Sequence, residues 1–188
     1  MDHVGLASDD DLVIAATGGD IDAFAQLVRR HQQVARRLAV GLVGFAEADD
    51  IAQEAFVRAH RSLASFRSGS EFRPWLLRIV ANQAKNQRRS SQRRESRNAL
   101  FVRRSHETSV GPAEAAEISD DRRRLVDSLT RLPERDRRVI ALRYLLDCSE
   151  RETADILGWR VGTVKSRTSR ALDKLRIHIV DATEADQR

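Results

Sequence analysis

The sequence predicts an all-α chain of two small helical domains joined by a flexible linker, the second a helix-turn-helix domain. Three observations carry this. Apolar residues recur at helical spacing in several long stretches, while the strict alternation of a half-buried strand is absent. The stretch from Arg93 to Asp120 has little periodicity, is rich in Ser, Arg and Glu, and contains Gly111-Pro112. Finally, Ser149–Arg176 reads as two helices broken at Leu157-Gly158. A length of 188 residues suits one or two domains, each able to bury a small core.

In chain order, Met1–Gly19 is a polar, acidic start followed by the apolar Leu12–Ala16, with room for a short helix after Ser8 or Asp9. Asp20–Gly41 is an amphipathic helix with Phe24, Leu27, Val28, His31, Val34, Ala35 and Leu38 on one face. Asp20 is its N-cap, and Gly41 with Gly44 is expected to end it. Ala46–Phe66 is a second helix whose core stripe is Ile51, Ala55, Phe56, Ala59 and Leu63. Asp49, Asp50, Gln53, Glu54 and Arg61 line its other side. Asp50, Gln53 and Glu54 form one ridge at i, i+3 and i+4, which is either a solvated face or a docking face.

Arg67–Arg73 is a loop, and Pro74 suits the first turn of the helix that follows. Trp75, Leu76, Ile79, Val80 and Ala84 then pack inward. Beyond Asn82 this helix turns basic. Arg78–Arg104 holds nine basic residues and a single acid, Glu95. A helix that is apolar at its start and cationic at its end can lie along nucleic acid with one half anchored in a core; the alternative is a helix fraying into a solvated tail.

In the second domain, Ile118–Leu129 forms a helix, Leu132-Pro133 breaks it, and Glu134–Leu145 forms the next. Ser149 and Glu152 make a capping box, and Gly158 stands where a helix C-terminus takes a residue at positive φ. A further helix starts near Val161–Thr163. Val164, Thr168, Ala171, Leu172 and Leu175 line its inner face and Lys165, Ser166, Ser169 and Arg170 its outer one. That outer face has the chemistry for base edges and phosphates, against the plainer reading of a helical hairpin with a solvated side.

Other classes are excluded or left without support. The net charge is +5 and Arg greatly outnumbers Lys, which suits an anionic partner. Cys148 is the one cysteine, so no disulfide framework or zinc quartet exists. No apolar run approaches a membrane span, and the acidic N-terminus is unlike a signal peptide, so no membrane insertion and a cytoplasmic location are expected. No catalytic constellation, metal site or cofactor-binding loop is found, and the scattered histidines read as packing or surface residues.

Four segments, in order, resemble those of one family: AFAQLVRRH, ADDIAQEAFVRAHRSL, FRPWLLRIVANQAKNQRR, and LPERDRRVIALRYLLDCSERETADILGWRVGTVKSRTSRALDKLR. They resemble the bacterial sigma factors of the extracytoplasmic-function (ECF) group, which lack a middle domain between the two lobes. The resemblance implies an N-terminal extension at 1–19, region 2 at 20–92, a linker at 93–117, region 4 at 118–180 and a tail at 181–188. It implies a non-enzymatic subunit that binds core RNA polymerase, mainly the β′ clamp helices, through Asp49, Asp50, Gln53 and Glu54. Asn82, Lys85, Asn86, Arg88 and Arg89 would read and melt the −10 promoter DNA. Thr163, Lys165, Ser166, Arg167, Ser169, Arg170 and Lys174 would contact the −35 element, with Thr163, Arg167 and Lys174 placed for phosphates or the helix surface. An anti-sigma partner and a stress or developmental regulon are further implications.

Some positions depart from the family pattern. Arg160 stands where a small cap is common, Thr153 and Thr168 where aliphatic residues are common, and Ser169 where His or an aromatic residue is common. Two threonines in the seam predict a looser core. The rival readings are a helix-turn-helix regulator that is not a polymerase subunit, which lacks support from the strand-free N-terminal half, and a pure interaction protein, which leaves the basic strip unexplained.

Overall fold

In the computed structural model, residues 7–67, 69–98 and 119–186 are described, and there is no strand among them. Most of the expected linker, the first residues of the N-terminal extension and the last two of the tail lie outside the described residues. The first lobe comprises α1 (Asp9–Thr17), α2 (Ile21–Val43), α3 (Phe45–Ser62) with a 3-10 turn at Leu63–Ser65, and α4 (Phe72–Asn98). The second comprises α5 (Asp120–Arg131), α6 (Glu134–Ile140) with a π turn at Ala141–Leu145, α7 (Glu150–Leu157) and α8 (Val161–Asp186).

Helix α1 starts on a capping box. Ser8 Oγ accepts from the Asp11 amide at 3.1 Å, and the Asp11 carboxylate accepts from the Ser8 amide at 3.1 Å. Three aspartates in its first turn face the positive end of the helix dipole. Leu12, Val13 and Ala16 are buried, so from Ser8 onward the expected extension is part of the first lobe rather than an appendage. Asp9 ties the joint: Arg30 donates to it at 2.5 Å and His31 Nε2 lies 2.7 Å from it.

The apolar stripes of α2 and α3 bury as their spacing predicts, with Leu27, Ala35, Leu38, Ala55 and Ala59 fully enclosed. Helix α2 runs past Gly41 and stops only at Gly44, whose φ of 89° is the left-handed geometry a side chain resists. Gly41 is therefore no terminator. It faces the second lobe, where a Cβ would lie 2.5 Å from Leu145 Cδ1. Helix α4 also outruns its expected end near 92, continuing to Asn98.

In the second lobe, Leu132 is extended, as a residue before proline prefers, and Pro133 caps α6. The expected single helix Glu134–Leu145 instead opens into a π turn after Ile140. There the Leu142 carbonyl accepts from the Cys148 amide at 3.0 Å, and Arg143 donates to the Cys148 carbonyl, folding the chain back into α7. Ser149 and Glu152 form the capping box, and Gly158 takes φ 67° with Trp159 N–H bonded to the Ala154 carbonyl. On α8, Val164, Ala171 and Leu175 point inward as expected, whereas Leu172 is 37% exposed, at the edge of that stripe.

Of the two seam threonines, Thr168 is half-buried and bonds the Val164 carbonyl at 2.8 Å. Thr153 is fully buried and its hydroxyl has no partner. A buried unpaired hydroxyl costs on the order of 1–3 kcal/mol. Thr153→Val, which keeps the shape and removes the orphan group, should therefore raise unfolding stability by about 1 kcal/mol, read as a higher urea midpoint at unchanged slope.

Candidate nucleic-acid and polymerase interface

The inward stripes leave the polar faces of α3, α4 and α8 outside. On α3, Asp49, Asp50 and Gln53 are exposed and Glu54 half-buried, so the ridge read from the sequence lies on the outer surface. Two of these acids are already paired. Arg36 Nε donates to Asp49 at 2.6 Å, and Arg58 Nε donates to Glu54 at 3.2 Å. On α4, Asn82 and Asn86 are exposed one turn apart, Arg89 is exposed, and Lys85 and Arg88 are half-buried.

Helices α3 and α4 leave an open groove of about 490 Å³ between them. It is lined by Glu54, Arg58, Arg61, Ser62, Ile79, Asn82, Gln83 and Asn86. The groove brings Glu54, read as polymerase-facing, beside the two asparagines read as DNA-facing. It also adds Arg58, Ser62 and Gln83, which the sequence reading passed over. Arg58 and Arg61 stand at i and i+3, a cue to one outer face. Gln83 Oε1 is buried without a hydrogen-bond partner and lines this groove, an acceptor left for whatever enters.

On α8, Thr163, Lys165, Ser166, Ser169 and Arg170 are exposed on one face. Arg170 lies back along the helix, donating to the Ser166 carbonyl at 3.1 Å and approaching Ser166 Oγ at 3.4 Å. Arg167 and Lys174 are placed differently. Each donates to the same carboxylate, Asp136 on α6, at 2.6 Å, and Asp136 is only 2% exposed. The Arg167 guanidinium also lies 5.7 Å from the Trp159 ring centroid. An unpaired buried carboxylate is costly, so these two cations are held by the lobe, and the pair of bonds fixes the rotation of α8 on α6. Burial pushes the Asp136 carboxyl up, but hydrogen bonds from Lys174 and Arg167, with their charges, outweigh it and hold Asp136 below the ordinary carboxylate value.

Burial, by contrast, pushes the Cys148 thiol up despite nearby arginines, which makes it a poor nucleophile. Among the described residues no cluster of His, Cys, Asp and Glu is placed to hold a metal ion, and no helix is long and apolar enough to cross a membrane.

Both lobes match known families. Residues 27–94 match Sigma-70 region 2, and residues 122–175 match Sigma-70, region 4. The ECF RNA polymerase sigma-E factor of Haemophilus influenzae is 34% identical over 176 residues, covering 89% of this chain and 93% of that one. The protein of the same name in Escherichia coli K12 is 35% identical over 176 residues, covering 89% and 92%. The chain belongs to the ECF sigma factors. It is thus a transcription initiation factor, and the reading as a regulator separate from polymerase falls away. Two solved structures share the fold of this sigma factor. CnrH in complex with the cytosolic domain of CnrY has a TM-score of 0.68 and 29% identity, covering 93% of this chain and 97% of that one. The sigma factor RpoE in complex with the anti-sigma factor NepR, from Bartonella quintana, has a TM-score of 0.70 and 27% identity, covering 85% and 98%.

The lowered Asp136 value has a consequence for acid stability. A carboxyl whose pKa is depressed on folding contributes stability that is complete above its unfolded value near 3.9 and lost as pH falls through the folded value. Asp136→Asn should lower stability at pH 7, because Arg167 and Lys174 lose their anion. It should also lose less further stability than the parent between about pH 4 and pH 2. Urea titrations across that range check both signs.

Proposed function

We propose that the first lobe is region 2 of the factor and the second is region 4, with the site residues acting as follows. Asp50, Gln53 and Glu54, with Asp49 at the rim, dock the factor on a basic surface of core RNA polymerase, the β′ clamp helices. An exposed acidic ridge on a helix whose other face is buried suits such a target, because docking leaves the core of the lobe undisturbed. Asn82 and Asn86 read unpaired bases of the −10 element, while Lys85, Arg88 and Arg89 neutralise its phosphates. Opening the duplex costs about 1.4 kcal/mol of stacking per step, and captured bases offset that cost. The groove between α3 and α4, with its unpaired Gln83 acceptor, supports this role for the asparagines at its rim.

Lys165, Ser166, Ser169 and Arg170 enter the major groove of the −35 element, and Thr163 meets the backbone beside them. Arg167 and Lys174 contribute chiefly by orienting α8 through Asp136 and reach DNA phosphate only with the outer part of their side chains. The factor acts in the cytoplasm, without enzymatic activity of its own, on a stress or developmental regulon. Control by an anti-sigma factor is supported by a structural neighbour, RpoE, solved with such a partner. The observation that carries the reading is the coexistence of an outward acidic ridge on α3, a cationic half of α4 and an exposed polar face on α8 in one chain.

Transcription in vitro with purified core polymerase tests the whole: promoter-specific transcripts are expected, and their absence from every template tried counts against it. Asp50→Arg combined with Glu54→Arg should weaken core binding about tenfold or more while helical content is retained. Arg170→Ala should cost about 1–3 kcal/mol at promoters that depend on the −35 element. An equal loss on all DNA would make it a phosphate contact instead.

A further inference from the structure

The acidic ridge on α3 carries less charge than its carboxylates suggest. Of Asp49, Asp50 and Glu54, only Asp50 has no ion pair or side-chain hydrogen bond among the described residues. Arg36 holds Asp49: its Nε donates to one carboxylate oxygen at 2.6 Å, and its Nη2 lies 3.5 Å from the other, the forked approach of a guanidinium to a carboxylate. Arg58 holds Glu54 at 3.2 Å. Two arginines against three acids leave the ridge one net negative charge.

The two arginines are placed differently. Arg58 is on α3 itself, one turn beyond Glu54, and lines the groove beside Asn82 and Asn86, so its charge also bears on the DNA-facing site. Arg36 comes from α2. Its neighbours Ala35 and Leu38 are fully enclosed, and the turn at Gly44, with φ 89°, brings α3 back along α2. Arg36 and Asp49 each lie within about two turns of Gly44 and meet across the edge of the helix pair.

Stability gives little reason for this pair. Its side chains are 32% and 60% exposed, and exposed ion pairs add little to folding because water and salt screen them. Its effect on an incoming charged partner is of a different kind. A target that attracts the ridge is cationic. A guanidinium fixed beside Asp49 cancels that acid and repels such a target.

We propose that Arg36 tunes docking on core polymerase: from the edge of the ridge it holds the affinity below what the ridge's own carboxylates would supply. This rests on the reading of the ridge as the docking surface. Asp49 then meets polymerase already neutralised, while Asp50 and Gln53 present an unpaired acid and amide beside it. Loss of Asp49 acts mainly by leaving Arg36 uncompensated.

The test is equilibrium competition between full-length variants and a fluorescently labelled parent chain for purified core polymerase. Arg36→Gln should compete about two- to fivefold better than the parent at low salt, the scale of one surface charge interaction. The gain should vanish near 0.5 M salt, where the Debye length is only about 4 Å. Arg36→Lys keeps the charge and should stay near the parent, which separates charge from packing. Asp49→Asn should weaken competition, and adding Arg36→Gln to it should recover most of the loss. If Arg36→Gln loses helical signal, Arg36→Met, which retains an apolar stem, takes its place in each comparison. A folded charge-removing variant that competes no better than the parent overturns the proposal. So does a double variant as weak as Asp49→Asn alone, which would make Asp49 a direct contact. Asp50→Asn tests the underlying reading separately and should weaken competition. If it and every Arg36 variant compete as the parent does, the ridge is not the docking surface, and the proposal falls with that reading.

Discussion

Phe72 is 1% exposed, and its ring packs against His31, Phe66 and Trp75 at centroid distances of 5.2, 6.1 and 5.6 Å. These contacts hold the first turn of α4 against α2 and the chain that leaves α3. Because α4 is one continuous helix of 27 residues, about 40 Å long at 1.5 Å per residue, fixing its first turn sets the direction of its basic half. His31 in turn is held by Asp9, so the acidic first helix stabilises the aromatic anchor from behind. The direction of the basic half of α4 therefore depends on an aromatic contact at its opposite end.

The second lobe solves the same problem with charge. Helix α8 must bury Val164, Ala171 and Leu175 while presenting Lys165, Ser166, Ser169 and Arg170, and small apolar residues alone define its rotation loosely. Two cations a heptad apart, bonded to one buried carboxylate, define it more tightly. Such a pairing adds little net stability over a good apolar contact, but breaking it leaves a buried charge, so alternative rotations are penalised. Specificity of orientation, more than strength, is what Asp136 contributes.

Local features of the sequence were legible because local physics decides them. The stripes of α2 and α3, the Ser149–Glu152 capping box and the left-handed Gly158 each depend on residues within a turn or two. The less legible features arise between residues distant in the chain. Asp136 is separated from Arg167 and Lys174 by 31 and 38 positions, and nothing near it marks an aspartate in the run ERDRR for burial. Gly41 looked like a helix terminator because glycine has that local meaning; its actual reason lies on the other lobe. Arg137 is the sharpest such case. It is 1% exposed, bonds the Thr130 carbonyl at 2.9 Å and leaves its Nε and Nη2 unpaired, where composition would place an arginine in water. The exposure of the candidate residues was more legible than the packing behind them, because outer helix faces follow from subtracting the apolar stripe.

Helix α4 is where these demands meet. Its first turns belong to the aromatic core, its outer face borders the α3 groove, and Arg73 and Arg78 reach across to the second lobe. These two arginines precede Asn82 by one turn or more, so the arrangement leaves Asn82, Asn86 and Arg89 exposed while restraining the helix that carries them. The exposed face of α8 is likewise uncovered in this arrangement. The packing of the two lobes against each other therefore leaves both polar helix faces open to solvent.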